Sequence, residues 1–392
     1  MTMLYKTFQK IYRVVRYRMD FPMIILLSLI LLIIFFITLQ SCSDDDSSVT
    51  VTETFQVQGN HLTDPCGETI ILKGVNKMSV FDNEDPYGSA YFSEIAKTKA
   101  NSVRIVWQTV YGNGDPSNKS QLDSLIKNCI KAKMIPIVEI HDATCNWANL
   151  DLVIDYWMLP EMVTLVKKYE HALLVNIANE AGDYTVTADE FVAKYKEAIT
   201  LFRNAGIRAP LIIDAPDCGK NLELIVPVAA GLTQHDPLHN VMFSAHPYWS
   251  KTDGATPAFI KAQLDNAAAN NVPLILGELC AYGGWPGQGA NVTESCGAKG
   301  EVDYGSLLAE SSKHDIGWLV WEWGPGNGFY DEGAVILCPA MDMTPDRTYQ
   351  SIVSIQPGAV NAWVKEVVIT SPYGLQNTAL KTDYIQNGFT CQ

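Results

Sequence analysis

Glu180 and Glu278 are the residues whose surroundings most suggest chemistry. Each closes an apolar run: Ala172–Glu180 reads ALLVNIANE, and Val272–Glu278 reads VPLILGE. A continuous apolar run bounded by polar residues is the pattern of a parallel strand buried on both faces. The carboxyl ends of such strands are where parallel sheets carry their reactive groups. Two carboxylates brought to one end of one sheet can flank a sugar linkage, one moving a proton and the other attacking carbon.

Other groups fall at comparable points of the chain. Strand-like runs are read at Ile70–Val75, Ser102–Trp107, Ile135–Ile140, Leu173–Ala178, Leu211–Ala215, Val241–Ala245, Leu274–Gly277 and Gly317–Trp321. At or near their carboxyl ends stand Asn76, Arg104 with Trp107, His141 with Asp142, Asn179-Glu180, Asp214, His246 with Tyr248 and Trp249, Glu278, and Trp321 with Trp323. Any one of these has an ordinary explanation as a satisfied structural residue or a core aromatic. Their collection at one rim does not follow from stability alone.

The segments between the runs carry helix signals. Thr187-Ala188-Asp189-Glu190 is a capping box opening an amphipathic run that stops at Gly206. Thr256-Pro257 pairs an N-cap with proline at the first helical position. Ser120–Lys131 and Val302–Ser312 have apolar residues at helical spacing, and Asn361–Val368 is read as a last helix. Eight strands alternating with helices close most simply as a (β/α)8 TIM barrel, α/β in class, forming a single catalytic domain. An open doubly wound sheet is the rival, weakened because no GxGxxG follows the first strand.

The amino-terminal stretch reads as an export signal. Lys6, Lys10, Arg13, Arg16 and Arg18 precede Met23–Leu39, which is uncharged and largely aliphatic. Leu39-Gln40-Ser41-Cys42 resembles the bacterial lipobox, which implies cleavage before Cys42 and lipid on its thiol. Residues 1–42 are thus expected to be a lipoprotein signal peptide, residues 43–54 a flexible tether, and residues 55–392 the barrel. The SDDDSS that follows Cys42 resembles an export signal to the outer surface, which places the chain at the outer membrane. A transmembrane anchor is the alternative, but it does not call for small Ser41 before the cysteine.

The chain carries a net charge of −15, and losing the leader removes five basic residues and one acidic one. Such an acidic surface excludes nucleic acid as a partner. Eight cysteines remain beyond Cys42, and in an exported protein they are expected to form disulfides whose pairing the sequence leaves open. Neither CxxC nor HExxH occurs, so no metal site is expected, and no organic cofactor is called for.

Taken in order, Arg104, His141, Asn179-Glu180, His246-Pro247-Tyr248, Glu278 and Trp321 resemble the pattern of glycoside hydrolase family 5, over residues 70–325. Within that family, VEIHDAT, VNIANE, MFSAHPYW and GWLVWEW are most similar to bacterial endo-β-1,4-mannanases. The resemblance implies a retaining glycosidase that cleaves internal β-1,4 linkages of a plant-type polysaccharide. Mannan is the first choice of substrate and cellulose the alternative. It makes Glu278 the nucleophile and Glu180 the acid/base. Asn179 would bond the sugar 2-hydroxyl, His246 would lie against the acid/base, and His141 would line the reactive subsite. Tyr248 and Arg104 would keep Glu278 ionised, and Trp321 would be the floor under the reacting sugar. Trp107, Trp249, Trp285 and Trp323 are read as platforms for flanking sugars. The loops at Cys145-Asn146-Trp147, at Leu279-Cys280-Ala281 and at 324–328 depart from the family pattern, and loops set subsites. The chain is taken to be a monomer. A surface lipoprotein that binds glycan without cutting it would use the same tryptophans, but a retired enzyme is expected to have lost one of the two glutamates. A purely structural or adhesive protein would leave carboxylates at buried strand ends without a use.

Overall fold

Buried apolar runs must pair to satisfy their backbone groups, and here they pair into a ring. A computed structural model describes residues 53–111, 113–283, 300–326, 328–331 and 334–391. The leader with Cys42, the tether up to residue 52, Trp285 and Cys296 lie outside the described residues. Thr54 is wholly buried, so the fold already includes the last residue assigned to the tether.

Strands β1 (Gln56–Gln58), β2 (His61–Thr63) and β3 (Thr69–Ile70) form a small antiparallel sheet. The barrel follows: β4 (Lys73–Lys77), β5 (Ser102–Trp107), β6 (Ile135–Ile140), β7 (Leu174–Asn176), β8 (Leu211–Asp214), β9 (Val241–Ala245), β10 (Leu274–Leu279) and β11 (Gly317–Val320). These eight run parallel and close in chain order, with β11 pairing back onto β4. The (β/α)8 reading therefore holds.

The first strand differs from the expectation. The run read as Ile70–Val75 is divided: Ile70 pairs with Leu62 in the small sheet, while the barrel strand starts at Lys73. An apolar run does not record where it changes partner. The fourth strand is also shorter than read, because the chain leaves the ladder after Asn176 to form the turn that carries Glu180.

The helix signals are met. Thr187 and Glu190 form the reciprocal capping box, and the helix Ala188–Asn204 ends just before Gly206, which has φ +78°. Thr256 accepts a hydrogen bond from the Phe259 N–H at the head of Pro257–Ala269. The helix read as the last is shorter than expected, Ala362–Lys365, passes into a π-helical turn at Glu366–Thr370, and is followed by two short helices, Leu375–Thr378 and Asp383–Gln386.

Two apolar clusters hold these layers together. The larger lies between the barrel and its helices and includes Leu122, Leu125, Phe191, Tyr195, Phe202 and Leu264. The smaller fills the amino end of the barrel: Ile137, Leu174, Ile212, Met242, Ile275 and Leu319 meet there, one from each of six strands. Leu62 of the small sheet and Phe55 just before it close it below, with Tyr384, Ile385 and Phe389 from the carboxyl-terminal segment. The Cys66–Cys391 disulfide ties these two closing segments together.

Cys145 and Cys218 form a second disulfide, and Cys338 is disulfide-bonded as well. The expectation that all eight cysteines pair fails, because Cys129 and Cys280 are free and buried. Cys129 packs among the helix and barrel residues as a small apolar side chain.

Candidate active site

Side chains alternate across a strand, so a residue two places beyond an inward apolar one also points inward. In β6, β7 and β8 that rule carries Ile137 to Glu139, Leu174 to Asn176 and Ile212 to Asp214. The upper layer of the barrel is therefore polar, and Arg104 of β5 stands in its middle. The Arg104 guanidinium uses all five of its N–H groups. Nε donates to Asn176 (2.8 Å), Nη1 to Asn76 (3.1 Å) and Glu278 (2.8 Å), and Nη2 to Asn179 (2.6 Å) and Asp214 (3.2 Å).

Glu278 reaches this layer through an irregularity. The pairing of β10 with β11 shifts register between Leu276 and Leu279. Gly277 lies against the side chains of Ser244 and His246, where an added Cβ would fall 2.7 Å from His246 Nε2. With Gly277 facing inward, the bulge turns its neighbour Glu278 the same way, which is how bulges re-aim side chains beside active sites. Glu278 Oε1 then accepts from Arg104, and Oε2 accepts from the Tyr248 hydroxyl at 2.7 Å.

Glu180 sits past the end of β7 with φ +44°, a left-handed conformation that few non-glycine residues adopt. Its backbone N–H donates to Asp214 (3.1 Å), and its Oε1 shares a hydrogen bond with His246 Nδ1 (2.8 Å). The same Nδ1 lies 3.5 Å from Glu278 Oε1. A carboxylate oxygen of Glu180 and one of Glu278 lie within 4.8 Å of each other, with the His246 ring between the two strands.

The two carboxyls face different electrostatics. Burial raises the pKa of Glu180 well above the ordinary range, and the neighbouring charges of Glu278 and Asp214 raise it further. Burial also raises Glu278, but Arg104, His141 and the Tyr248 hydroxyl all pull against it. Glu180 is therefore the proton holder of the pair and Glu278 the anion. Burial lowers the His246 pKa well below its usual value, with Arg104 and His141 adding to the effect, so its ring is neutral. Against the pull of burial, Glu139 and Glu278 raise the pKa of His141, whose Nδ1 lies 2.9 Å from Glu139.

Glu180, His246 and Glu278 have the types and spacing of a three-ligand cation site. The Arg104 guanidinium and the Tyr248 hydroxyl already occupy the oxygens of Glu278, and the arginine would repel a metal ion. The donor set therefore does not fit a cation.

Arg104, His141, Asn179, Glu180, His246, Tyr248, Glu278 and Trp321 gather at one rim. Trp321 stacks on His141, with ring centroids 6.0 Å apart and planes 14° from parallel. Asn179 is held at both ends of its amide: the oxygen accepts from Arg104, and the nitrogen donates to Thr144 Oγ1.

The tryptophan platforms need correction. Trp107 is wholly buried and donates to the Tyr156 hydroxyl, so it offers no face to a sugar. It stands three positions beyond inward-facing Arg104, an odd step that puts it on the helix side of its strand. Trp323 is also wholly buried, against the chain that returns through Met343 and Thr344. Trp249 is 8% exposed and donates to the Lys220 carbonyl. Its edge borders a cavity of about 370 Å³ that Tyr248, Phe259 and Asp217 also line. Sequence reasoning missed Glu139 and Asn176, both inward and bonded to or near Arg104. The signal was available: a polar residue interrupting an otherwise apolar strand.

The model of the cellulase group, glycosyl hydrolase family 5, matches residues 63–327. A mannan endo-1,4-β-mannosidase of Salipaludibacillus agaradhaerens is 29% identical over 69% of this chain and 81% of its own length. One of Cellvibrio japonicus is 26% identical, over 86% of this chain and 70% of its own length. The structure of a Thermomonospora fusca β-mannanase in complex with mannotriose has the same fold, with a TM-score of 0.68 at 22% identity. That match covers 85% of this chain and 99% of the other. Because the family match takes in well over half of the residues, this chain belongs to glycosyl hydrolase family 5 and is an O-glycosyl hydrolase.

Proposed function

We propose that the chain is a retaining endo-β-1,4-mannanase held at the cell envelope by lipid on Cys42. The observation that carries the mechanism is the separation of the glutamates, with oxygens within 4.8 Å. Retaining glycosidases keep their carboxyl groups about 5–5.5 Å apart, whereas inverting ones leave about 6.5–9.5 Å for a water.

In this reading Glu278, ionised by Arg104 and the Tyr248 hydroxyl, attacks the anomeric carbon and forms a glycosyl ester. Glu180 gives its proton to the departing glycosidic oxygen. It then takes a proton from the water that hydrolyses the ester, which returns both groups to their starting states. Neutral His246 serves either state of Glu180, accepting from its protonated form at Nδ1 or donating to its anion. Trp321 offers an aromatic face to the C–H face of the reacting sugar, and His141 behind it fixes the tilt of that ring. Asn179, oriented by Arg104 and Thr144, meets the 2-hydroxyl.

Mannan is favoured over cellulose because the named relatives are mannan endo-1,4-β-mannosidases. A reducing-end assay on galactomannan beside carboxymethylcellulose, with product sizing, tests this. Faster release on galactomannan with oligosaccharide products supports it, and faster release on the cellulose derivative overturns the substrate. The anchor rests on the order of basic residues, apolar run and Ser41-Cys42. Cys42→Ala should move the chain from membrane to soluble fractions, and an unchanged distribution would defeat the anchor. Monomeric behaviour is expected in size-exclusion chromatography of the chain lacking residues 1–42.

A further inference from the structure

We propose that the Cys145–Cys218 disulfide and the two loops it joins are positioning elements for Glu180, acting on the acid/base rather than only on stability. The bond links the loop after β6 to the loop after β8, and the turn carrying Glu180 lies between them. Both cysteines hold that turn by their backbones. The Cys145 N–H donates to the Glu180 carbonyl at 3.0 Å, and the Cys218 N–H donates to the Gly182 carbonyl at 2.9 Å. An isolated bridge between Thr144 and Ala181 adds a third tie on the first side.

The backbone conformation explains why such a clamp is needed. Glu180 has φ +44°, and the cysteines themselves have φ +53° and +51°. Non-glycine residues in the left-handed region carry strain and persist only where their surroundings over-determine them. Relaxation of any one would swing the Glu180 carboxyl away from Glu278.

The second half of the clamp also reaches the partner of Glu180. Gly219, next to Cys218, has its carbonyl bonded to the His246 N–H at 2.8 Å. Its Cα lies against the imidazole, where an added Cβ would fall 2.7–2.9 Å from ring and Cβ atoms of His246. One covalent bond therefore fixes the turn holding Glu180 and the loop packed on the histidine to which it is hydrogen-bonded.

The inference rests on the assignment of Glu180 as acid/base, so the test carries a reference for that assignment. In the full chain, Cys145→Ala/Cys218→Ala, Glu180→Ala and Cys66→Ala/Cys391→Ala are compared with wild type. Each is assayed for kcat/KM on a manno-oligosaccharide and on an aryl β-mannoside whose leaving group needs no proton. Misplacement by about 1 Å can cost up to 10²-fold. The Cys145/Cys218 variant should accordingly lose about 10-fold or more on the oligosaccharide while the aryl substrate changes less than 3-fold. Its basic pH limb should also move to lower pH, as water reaches a carboxyl that Glu278, Asp214, His246, Arg104 and Lys220 now face without it. Removal of the Cys66–Cys391 bond should lower the melting temperature and leave the ratio of the two substrates unchanged.

Equal losses on both substrates in the Cys145/Cys218 variant, or a lower melting temperature with the ratio and pH limb intact, would overturn the clamp. If Glu180→Ala itself fails to discriminate, the acid/base assignment falls and the clamp with it. If the double variant does not fold, Gly219→Ala tests the same contact on His246. That change should shift the ratio in the same direction, and an unchanged ratio would count against the proposal.

Discussion

At the amino end of the barrel, Ile137, Leu174, Ile212, Met242, Ile275 and Leu319 fill the interior with apolar side chains. Two places further along the same strands, the inward residues become Glu139, Asn176, Asp214, Ser244, Gly277 and Trp321. The change takes one repeat of the pleat. Below it, burial removes apolar surface from water at about 25 cal/mol per Å² and stabilises the ring. Above it, burial works against the fold, because charged groups lose their hydration and recover it only through partners such as Arg104. The same closure thus gives one end stability and the other the perturbed carboxyls that the chemistry needs.

The largest expected effect lies at the upper end. Glu278→Ala should lower kcat by at least about 10⁴-fold, with partial recovery in azide or formate, which take the place of the missing nucleophile. Its melting temperature should fall only slightly, since Arg104 loses Glu278 but keeps Asn76, Asn176, Asn179 and Asp214 as acceptors, and the carboxyl removed is one whose charged form burial disfavours. Near-normal turnover would remove Glu278 from the mechanism, and a collapse of stability would break the division between the two ends.

The matching change at the lower end is Phe55→Ala. Phe55 is wholly buried and meets Tyr384 edge-on at 5.8 Å between ring centroids. Emptying that position should cost about 3–5 kcal/mol of stability. Thermal or urea unfolding measures it, and kcat/KM of the folded fraction should stay within about 2-fold of wild type. A loss of kcat/KM larger than the loss of folded protein would mean that the plug tunes the rim.

How far this division could be read beforehand differs between the ends. The strands and both glutamates were legible, because buried parallel strands announce themselves as apolar runs and the polar residues that stop them stand out. Alternation would also have excluded Trp107, three residues from Arg104, and would have admitted Glu139 and Asn176, which stand at inward positions inside their runs. The left-handed conformation of Glu180 was not legible, since no glycine stands at that position, and the register shift that turns Glu278 inward was marked only by Gly277, which signals a bulge without saying which way it re-aims its neighbour. The small amino-terminal sheet was hidden for a different reason. Its third strand continues into the first barrel strand with only Ile71 and Leu72 between, and pairing partners are not written in a hydrophobic run.

A smaller effect is expected from Tyr248→Phe, which removes one hydrogen bond to the Glu278 carboxylate and keeps the ring. A hydrogen bond to a charged group is worth about 1.5–3 kcal/mol. Tyr248 favours the ionised form of Glu278, so without it the Glu278 pKa rises further. Glu278 must be ionised to attack, and activity is lost as pH falls through its pKa. The acid limb of kcat/KM should therefore move to higher pH, with a loss of roughly 10-fold at the old optimum. A lower rate with an unmoved acid limb would show that Tyr248 acts by packing instead.

The smallest effect tests whether the rim is held at a cost to stability. Glu322 directly follows Trp321, is wholly buried, and accepts from the Met78 N–H at 2.9 Å. Burial raises its pKa to about 7; Asp342 adds to this, while Lys77 and the N–H groups of Met78 and Gly324 oppose it. Because the folded value lies above that of the unfolded chain, wild-type stability from this group is fully present below the ordinary carboxyl pKa. It is lost as pH rises toward 7 and levels off above that. Glu322→Gln keeps an acceptor for Met78 and cannot ionise. Its melting temperature should match wild type near pH 4 and exceed it by on the order of a few degrees at pH 8. Melting curves that run parallel across this range would mean that Glu322 carries no such penalty, and the upper layer would then be less strained than its buried carboxyls imply.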